Sequence, residues 1–133
     1  MPAHQSITKR HRFIIAQNKY MAYNESLANK VREALAHLAN VEEKKMFRGI
    51  TFMVNGKMCI SVGHDELMCR INPDVFESVL ERNGCRPMIH GNRTMKGFVF
   101  VNEVGYSRQK DFNYWIDLAV DYNKEAKAAK KKK

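Results

Sequence analysis

Cysteine is scarce in this chain: Cys59, Cys69 and Cys85 are the three in 133 residues, an odd count with no CxxC pair. That argues against a disulfide framework and against a zinc site of paired thiolates. Cys59 and Cys69 fall inside apolar runs, where cysteine serves as a small buried hydrophobe. Cys85, next to Arg86, is the one candidate for a reactive thiol, which needs electropositive, partly open surroundings. Glycine is sparse too, and none of the seven glycines builds a phosphate-binding loop. Histidines stand at positions 4, 11, 37, 64 and 90, without the HxxxH or HExxH spacing of a metal site. No serine occupies a GxSxG elbow. No apolar run approaches the roughly 18 residues that span a bilayer. The first residues carry charge without the apolar stretch of a signal peptide. These absences predict a cytoplasmic, non-enzymatic protein with no catalytic, cofactor-binding or metal-ligating residues and no membrane partner.

What is abundant is positive charge, a formal +9, and its location matters. Residues 1–23 carry Lys9, Arg10, Arg12 and Lys19 and no acid, and residues 124–133 carry six lysines and Glu125. Residues 24–123 hold thirteen basic and thirteen acidic residues, a net charge of zero. A DNA-binding domain carries its positive field on the folded body, and this body is balanced. Lysine-rich ends bind polyanions weakly and without sequence preference. The expectation is a basic, flexible extension over 1–23, a folded domain over 24–123 and a disordered lysine tail over 124–133. The text changes character at Met21, which reads like the start of a protein.

Hairpin chemistry dominates the folded part. In KKMFRGITFMVNGKMCISVGHDELMCRI, from Lys44 to Ile71, short apolar runs are broken by Asn55-Gly56 and by His64-Asp65. Both are tight-turn signals. They predict strands at 41–47, 50–54, 57–62 and 66–71, an antiparallel meander. Two-residue turns pair Val54 with Lys57, Met53 with Met58 and Val62 with Leu67. On that register Met58, Ile60 and Val62 share a core face with Leu67, Cys69 and Ile71. Ile50, Phe52, Val54 and Cys59 then point the other way, with Lys57, Ser61, Met68 and Arg70. A wet sheet face normally reads as polar. This one is mixed, so either something packs on part of it, such as the helices wrapping round, or it meets a second copy of the chain as a homodimer.

Helices flank the meander. Asn24 caps a helix predicted over 25–39, with Leu27, Val31, Leu35 and Leu38 at helical spacing. Asn72-Pro73-Asp74 starts a second, running to about Arg82 and stopped by Asn83-Gly84. A strand is read at 87–90, a loop at 91–96 and a firmer strand at 98–102. A third helix begins near Gln109, with Phe112, Trp115, Ile116 and Ala119 as its buried stripe. The fold class is α+β.

Among the body's basic residues, Lys45, Arg48, Arg70, Arg93 and Lys96 are candidates for a single patch, and with Phe52 they form the candidate interaction surface. Helices two and three are too far apart in sequence for a helix-turn-helix, and no two-strand aromatic platform is present. The leading reading is regulation by protein–protein contact. The alternative is a nucleic-acid-associated accessory protein using the basic ends and this patch.

Taken in order, a helix, then Lys45, Met46, Phe47 and Gly49, then Asn55, Gly56, Lys57 and Met58, then Asp65, Glu66 and Leu67 form an ordered set. Arg86, Pro87 and Met88, then Met95, Lys96 and Gly97, and a helix bearing Trp115 complete it. The set resembles the N-terminal domain of the TfoX (Sxy) family over about Met21 to Tyr122. Arg48 stands where that family commonly has glycine, and Phe98 where it often has tryptophan. The resemblance implies a two-layer α+β domain, an antiparallel sheet packed against helices, similar to the secretion-chaperone-like fold. It implies no established catalytic activity. The family is named for regulators of natural competence, which carry a further C-terminal helical domain. The expectation here is the N-terminal domain standing alone.

Overall fold

The computed structural model describes residues 23–46 and 49–126. All but Tyr23 of the expected flexible extension over 1–23, residues 127–133 of the expected lysine tail, and Phe47 and Arg48 lie outside the described residues. The first helix, α1 (Glu25–Ala34), begins where Asn24 leaves the helical region and its side chain accepts a hydrogen bond from the Leu27 amide at 3.0 Å. That bond satisfies one of the amides a helix start leaves open. The helix stops at Ala34, five residues before the expected end, and Leu35 closes it with its amide on Val31 O. Leu27, Ala28, Val31 and Leu35 form the buried stripe.

Six strands follow: β1 (Val41–Met46), β2 (Gly49–Val54), β3 (Lys57–Val62), β4 (Glu66–Arg70), β5 (Cys85–His90) and β6 (Arg93–Asn102). They make one sheet in the order β1-β2-β3-β4-β6-β5, every pair antiparallel. The Asn55-Gly56 turn has φ of 53° and 77°, as a type I′ hairpin requires. The turn pairings read from sequence hold: Val54 faces Lys57, Met53 faces Met58, and Val62 faces Leu67. The stretch read as a loop over 91–96 is largely strand, because the chain reverses at Gly91 (φ 64°) and pairs from Arg93 onward.

The face assignment is corrected by one residue. Beyond Met53–Met58, the pairing resumes as Phe52–Ile60, so Cys59 is an extra residue on β3. A bulge of this kind exchanges the two faces for everything on one side of it. Ile50, Phe52 and Val54 therefore join Ile60 and Val62 on the helix-covered side, and Met58 moves with Met53 to the other. Lys57 also lies on the helix side, where its ammonium reaches Asn123 O at 2.6 Å.

Between β4 and β5 the chain forms a 3-10 turn (Pro73–Val75), capped by Asn72 on the Asp74 amide, and then the short helix α2 (Phe76–Val79). This stops before the expected Arg82. A one-turn helix, α3 (Glu103–Tyr106), not foreseen from sequence, links β6 to the long α4 (Gln109–Asn123). Buried residues of the four described helices belong to one cluster with Phe52, Ile60, Val62, Leu67, Cys69, Val99 and Val101. Phe112, Trp115, Ile116 and Ala119 are the stripe of α4, as expected. The Trp115 indole N–H is satisfied by Gly105 O at 3.1 Å. Asn123 donates to Val54 O at 3.1 Å, tying the last turn of α4 to the first hairpin. Tyr23 also packs on the core, and Ala126 is buried.

Candidate functional site

The sheet's second face is fixed by register. Met46, Thr51, Met53, Met58, Ser61, Met68, Phe98 and Phe100 alternate with, or pair away from, the helix-side residues. Four methionines and two phenylalanines thus share a face to which none of the described helices contributes. Met53, Met58, Phe98 and Phe100 are half-buried, and Met46 is exposed. At one side the Arg86 guanidinium lies 4.3 Å over the Phe100 ring and 2.7 Å from a Glu66 oxygen. In the middle, Thr51 and Ser61 hydroxyls share a hydrogen bond of 2.9 Å, and Ser61 reaches Ile50 O at 3.3 Å. The surface offers polarizable, adaptable side chains, the composition that suits binding of varied apolar partners.

The residues read from sequence as one interaction surface do not assemble. Phe52 is fully buried against the helices, which is a correction caused by the Cys59 bulge. Lys45 is exposed on edge strand β1, opposite Ile50. Arg48 lies outside the described residues. Arg70 ends β4, donating to Met58 O at 3.4 Å, with its guanidinium 6.0 Å from the Tyr122 ring. Arg93 and Lys96 are exposed on β6. β1 and β6 are four strand spacings apart, roughly 19 Å. Lys45 is therefore not gathered with Arg93 and Lys96. The methionine cluster was hidden from the sequence because its members look like core until the bulge is known.

Thiol chemistry finds no support in the geometry. Burial pushes the Cys85 thiol up to about 11, against a smaller opposing effect of Arg82. Burial likewise raises Cys59 to about 12, and Cys69 is raised further. Cys85 and His90 sit at opposite ends of β5, about 16 Å apart along the strand, so they form no nucleophile–base pair. Among the described residues no group of three or more His, Cys, Asp or Glu side chains is arranged to hold a metal ion. A cleft of about 490 Å³ is lined by Arg82, Asn83, Val104, Gly105, Arg108 and Asp111. Its cations are engaged: Arg82 stacks 3.6 Å from Tyr114 and lies 3.6 Å from Asp111, which Arg108 also approaches at 3.8 Å. No helix among the described residues is long and apolar enough to cross a membrane.

One open antiparallel sheet, six strands wide, with its described helices gathered on a single face, defines an α+β domain. The family model for the TfoX N-terminal domain matches residues 33–122, two thirds of the chain, and the chain belongs to that family. No curated protein and no solved structure matches it.

Proposed function

We propose that this domain is non-enzymatic and acts in regulation by binding another protein chain through the outer face of its sheet. The observation that carries the reading is the cluster of accessible Met46, Met53, Met58, Phe98 and Phe100 on a face outside the helix-packed core. Contiguous apolar surface of this kind marks interaction sites on soluble proteins. The raised thiols and the distance between Cys85 and His90 favour binding over covalent catalysis. The scattering of Lys45, Arg93 and Lys96 gives a nucleic-acid reading no single basic patch on the described body.

The test is site-specific capture. The tagged full chain, Phe100→Glu, Met58→Glu and the helix-side control Lys110→Glu are compared for proteins retained from extract, and for self-association by sedimentation. Retained chains that are lost with Phe100→Glu and Met58→Glu, but kept with Lys110→Glu, are the expected result. A second copy as partner shows as a dimer split by the same two substitutions. Identical capture and sedimentation by all four proteins refutes the reading.

A further inference from the structure

The zero net charge of residues 24–123 conceals a separation of charge. The hairpin of β5 and β6, residues 85–102, holds Arg86, Arg93 and Lys96 and no acid. Thirteen body cations less these three leave ten on the rest, against all thirteen acids. The outer half of the hairpin also stands apart from the sheet. β4 pairs with β6 only from Phe98 to Asn102, so residues 93–96 have β5 as their one strand partner among the described residues. The Ile71 amide on Gly97 O at 2.8 Å fixes the base of this projection, and Gly91 (φ 64°) turns its tip.

Its side chains are open to a visitor. Ile89 stands opposite Thr94, which lies between Arg93 and Lys96 in the chain. Arg93, Thr94 and Lys96 are exposed, and Ile89 keeps 60% of its accessible surface. Arg86, nearer the base, is held by Glu66 and the Phe100 ring. Arg93 and Lys96 make no ion pair among the described residues. Two cations flanking an apolar side chain select a partner by charge complementarity. A duplex is a poor match, because proteins that grip one neutralise about 6–10 phosphates. Its long backbone would also run on over a remainder in which acids outnumber cations, and it has no use for Ile89. A short acidic stretch of polypeptide fits better. Its carboxylates meet the two cations, and one apolar side chain among them covers the isoleucine.

We infer that the outer half of the β5–β6 hairpin is a docking arm for a short acidic segment of another protein. Arg93 and Lys96 are its carboxylate contacts, and Ile89 is its apolar one. The arm uses none of the methionines and phenylalanines of the outer face, so it stands whether or not that face binds a partner.

The test measures the full chain by fluorescence anisotropy against three labelled probes. They are a peptide of aspartate and glutamate around one leucine, the same peptide with serine for leucine, and a DNA duplex. The double variant Arg93→Ser, Lys96→Ser should bind the leucine peptide at least about fivefold more weakly, the loss expected from two exposed ion pairs. The control Lys44→Ser, Lys45→Ser removes the same charge from exposed positions of β1. At physiological salt, where distant charges are screened, it should change the affinity less than about twofold. Ile89→Ser should abolish the preference for leucine over serine. Equal weakening by the two double variants would mean general attraction to a basic chain and overturn the inference. So would duplex binding that falls with Arg93→Ser, Lys96→Ser while peptide binding does not, which would make the hairpin a nucleic-acid arm. Wild-type self-association lost in that same variant, with the peptide unbound, would put a second copy there and overturn it too. Met58→Glu should leave peptide binding unchanged, so this inference and the outer-face reading fail separately.

Discussion

Replacing Phe52 by alanine is the sharpest test of the sheet's register. The ring is fully buried among the residues that pack on the helices, and the Arg32 guanidinium lies 5.8 Å from its centroid on the rim. Truncating such a ring removes its transfer free energy and leaves a cavity, about 3–5 kcal/mol together. The next residue, Met53, is half-buried on the opposite face, so Met53→Ala should cost about 1 kcal/mol or less. Trp115 is the chain's single tryptophan and is buried, so its fluorescence follows unfolding of the whole core. With a urea slope of about 1–3 kcal/mol per molar, a loss near 4 kcal/mol moves the midpoint by about 2 M. Phe52→Glu should fail to fold, because a carboxylate there has no partner. The opposite order, Met53→Ala costing more than Phe52→Ala, would mean that the Cys59 bulge does not exist and that Phe52 faces outward.

Other outcomes follow from local geometry. Gly84 has φ of 80°, and a Cβ there would stand 2.4 Å from the Gly105 amide nitrogen; Gly84→Ala should cost about 2 kcal/mol or more in chemical denaturation, and a loss under half of that refutes the close approach. Cys85, raised to about 11, carries on the order of 100 times less thiolate at neutral pH than an ordinary cysteine. Allowing for the greater nucleophilicity of a more basic thiolate, native protein should alkylate about 10-fold more slowly than free cysteine, with the rate climbing until the pH passes about 11. Arg32 grips Glu43 with two hydrogen bonds of 2.5 and 2.6 Å and holds its carboxyl below the ordinary range. That contribution is present above the ordinary carboxylate pKa and fades as the pH falls through the lowered one. The pair is solvent-exposed, so Glu43→Gln should flatten the acid limb of the stability curve by under about 1 kcal/mol.

Much of this architecture was legible because turn chemistry is local. Asn55-Gly56 set both the hairpin and its terminal pairs, and Asn24 and Asn72 marked helix starts through side chains that bond their own next amides. The faces were not legible. Ile50, Phe52 and Val54 alternate with Thr51 and Met53, so either set could serve as core, and only a single unpaired residue decides between them. Cysteine at that position carries no signal, since it is small enough to be tolerated as a bulge and apolar enough to be read as an ordinary strand residue. The candidate surface inherits this ambiguity: Phe52 belongs to the core, and the methionines lie on the other face. The first helix ended early for a similar reason: Ala36 to Ala39 offers no stop signal, and the turn is set by Leu35 and Leu38 packing on the core.

The strands at the two rims of the sheet shape how anything else can meet this domain. β1 presents Glu42, Glu43, Lys44 and Lys45 in succession, nearly all exposed, and β5 carries Pro87, which has no amide hydrogen to give. Such rims discourage the addition of a seventh strand. Neighbouring molecules are therefore denied the open ladder along which sheets grow into fibres, even in a crowded solution. The broad sides of the sheet, lined by side chains, are left as its more open approach, and growth by main chain alone is disfavoured.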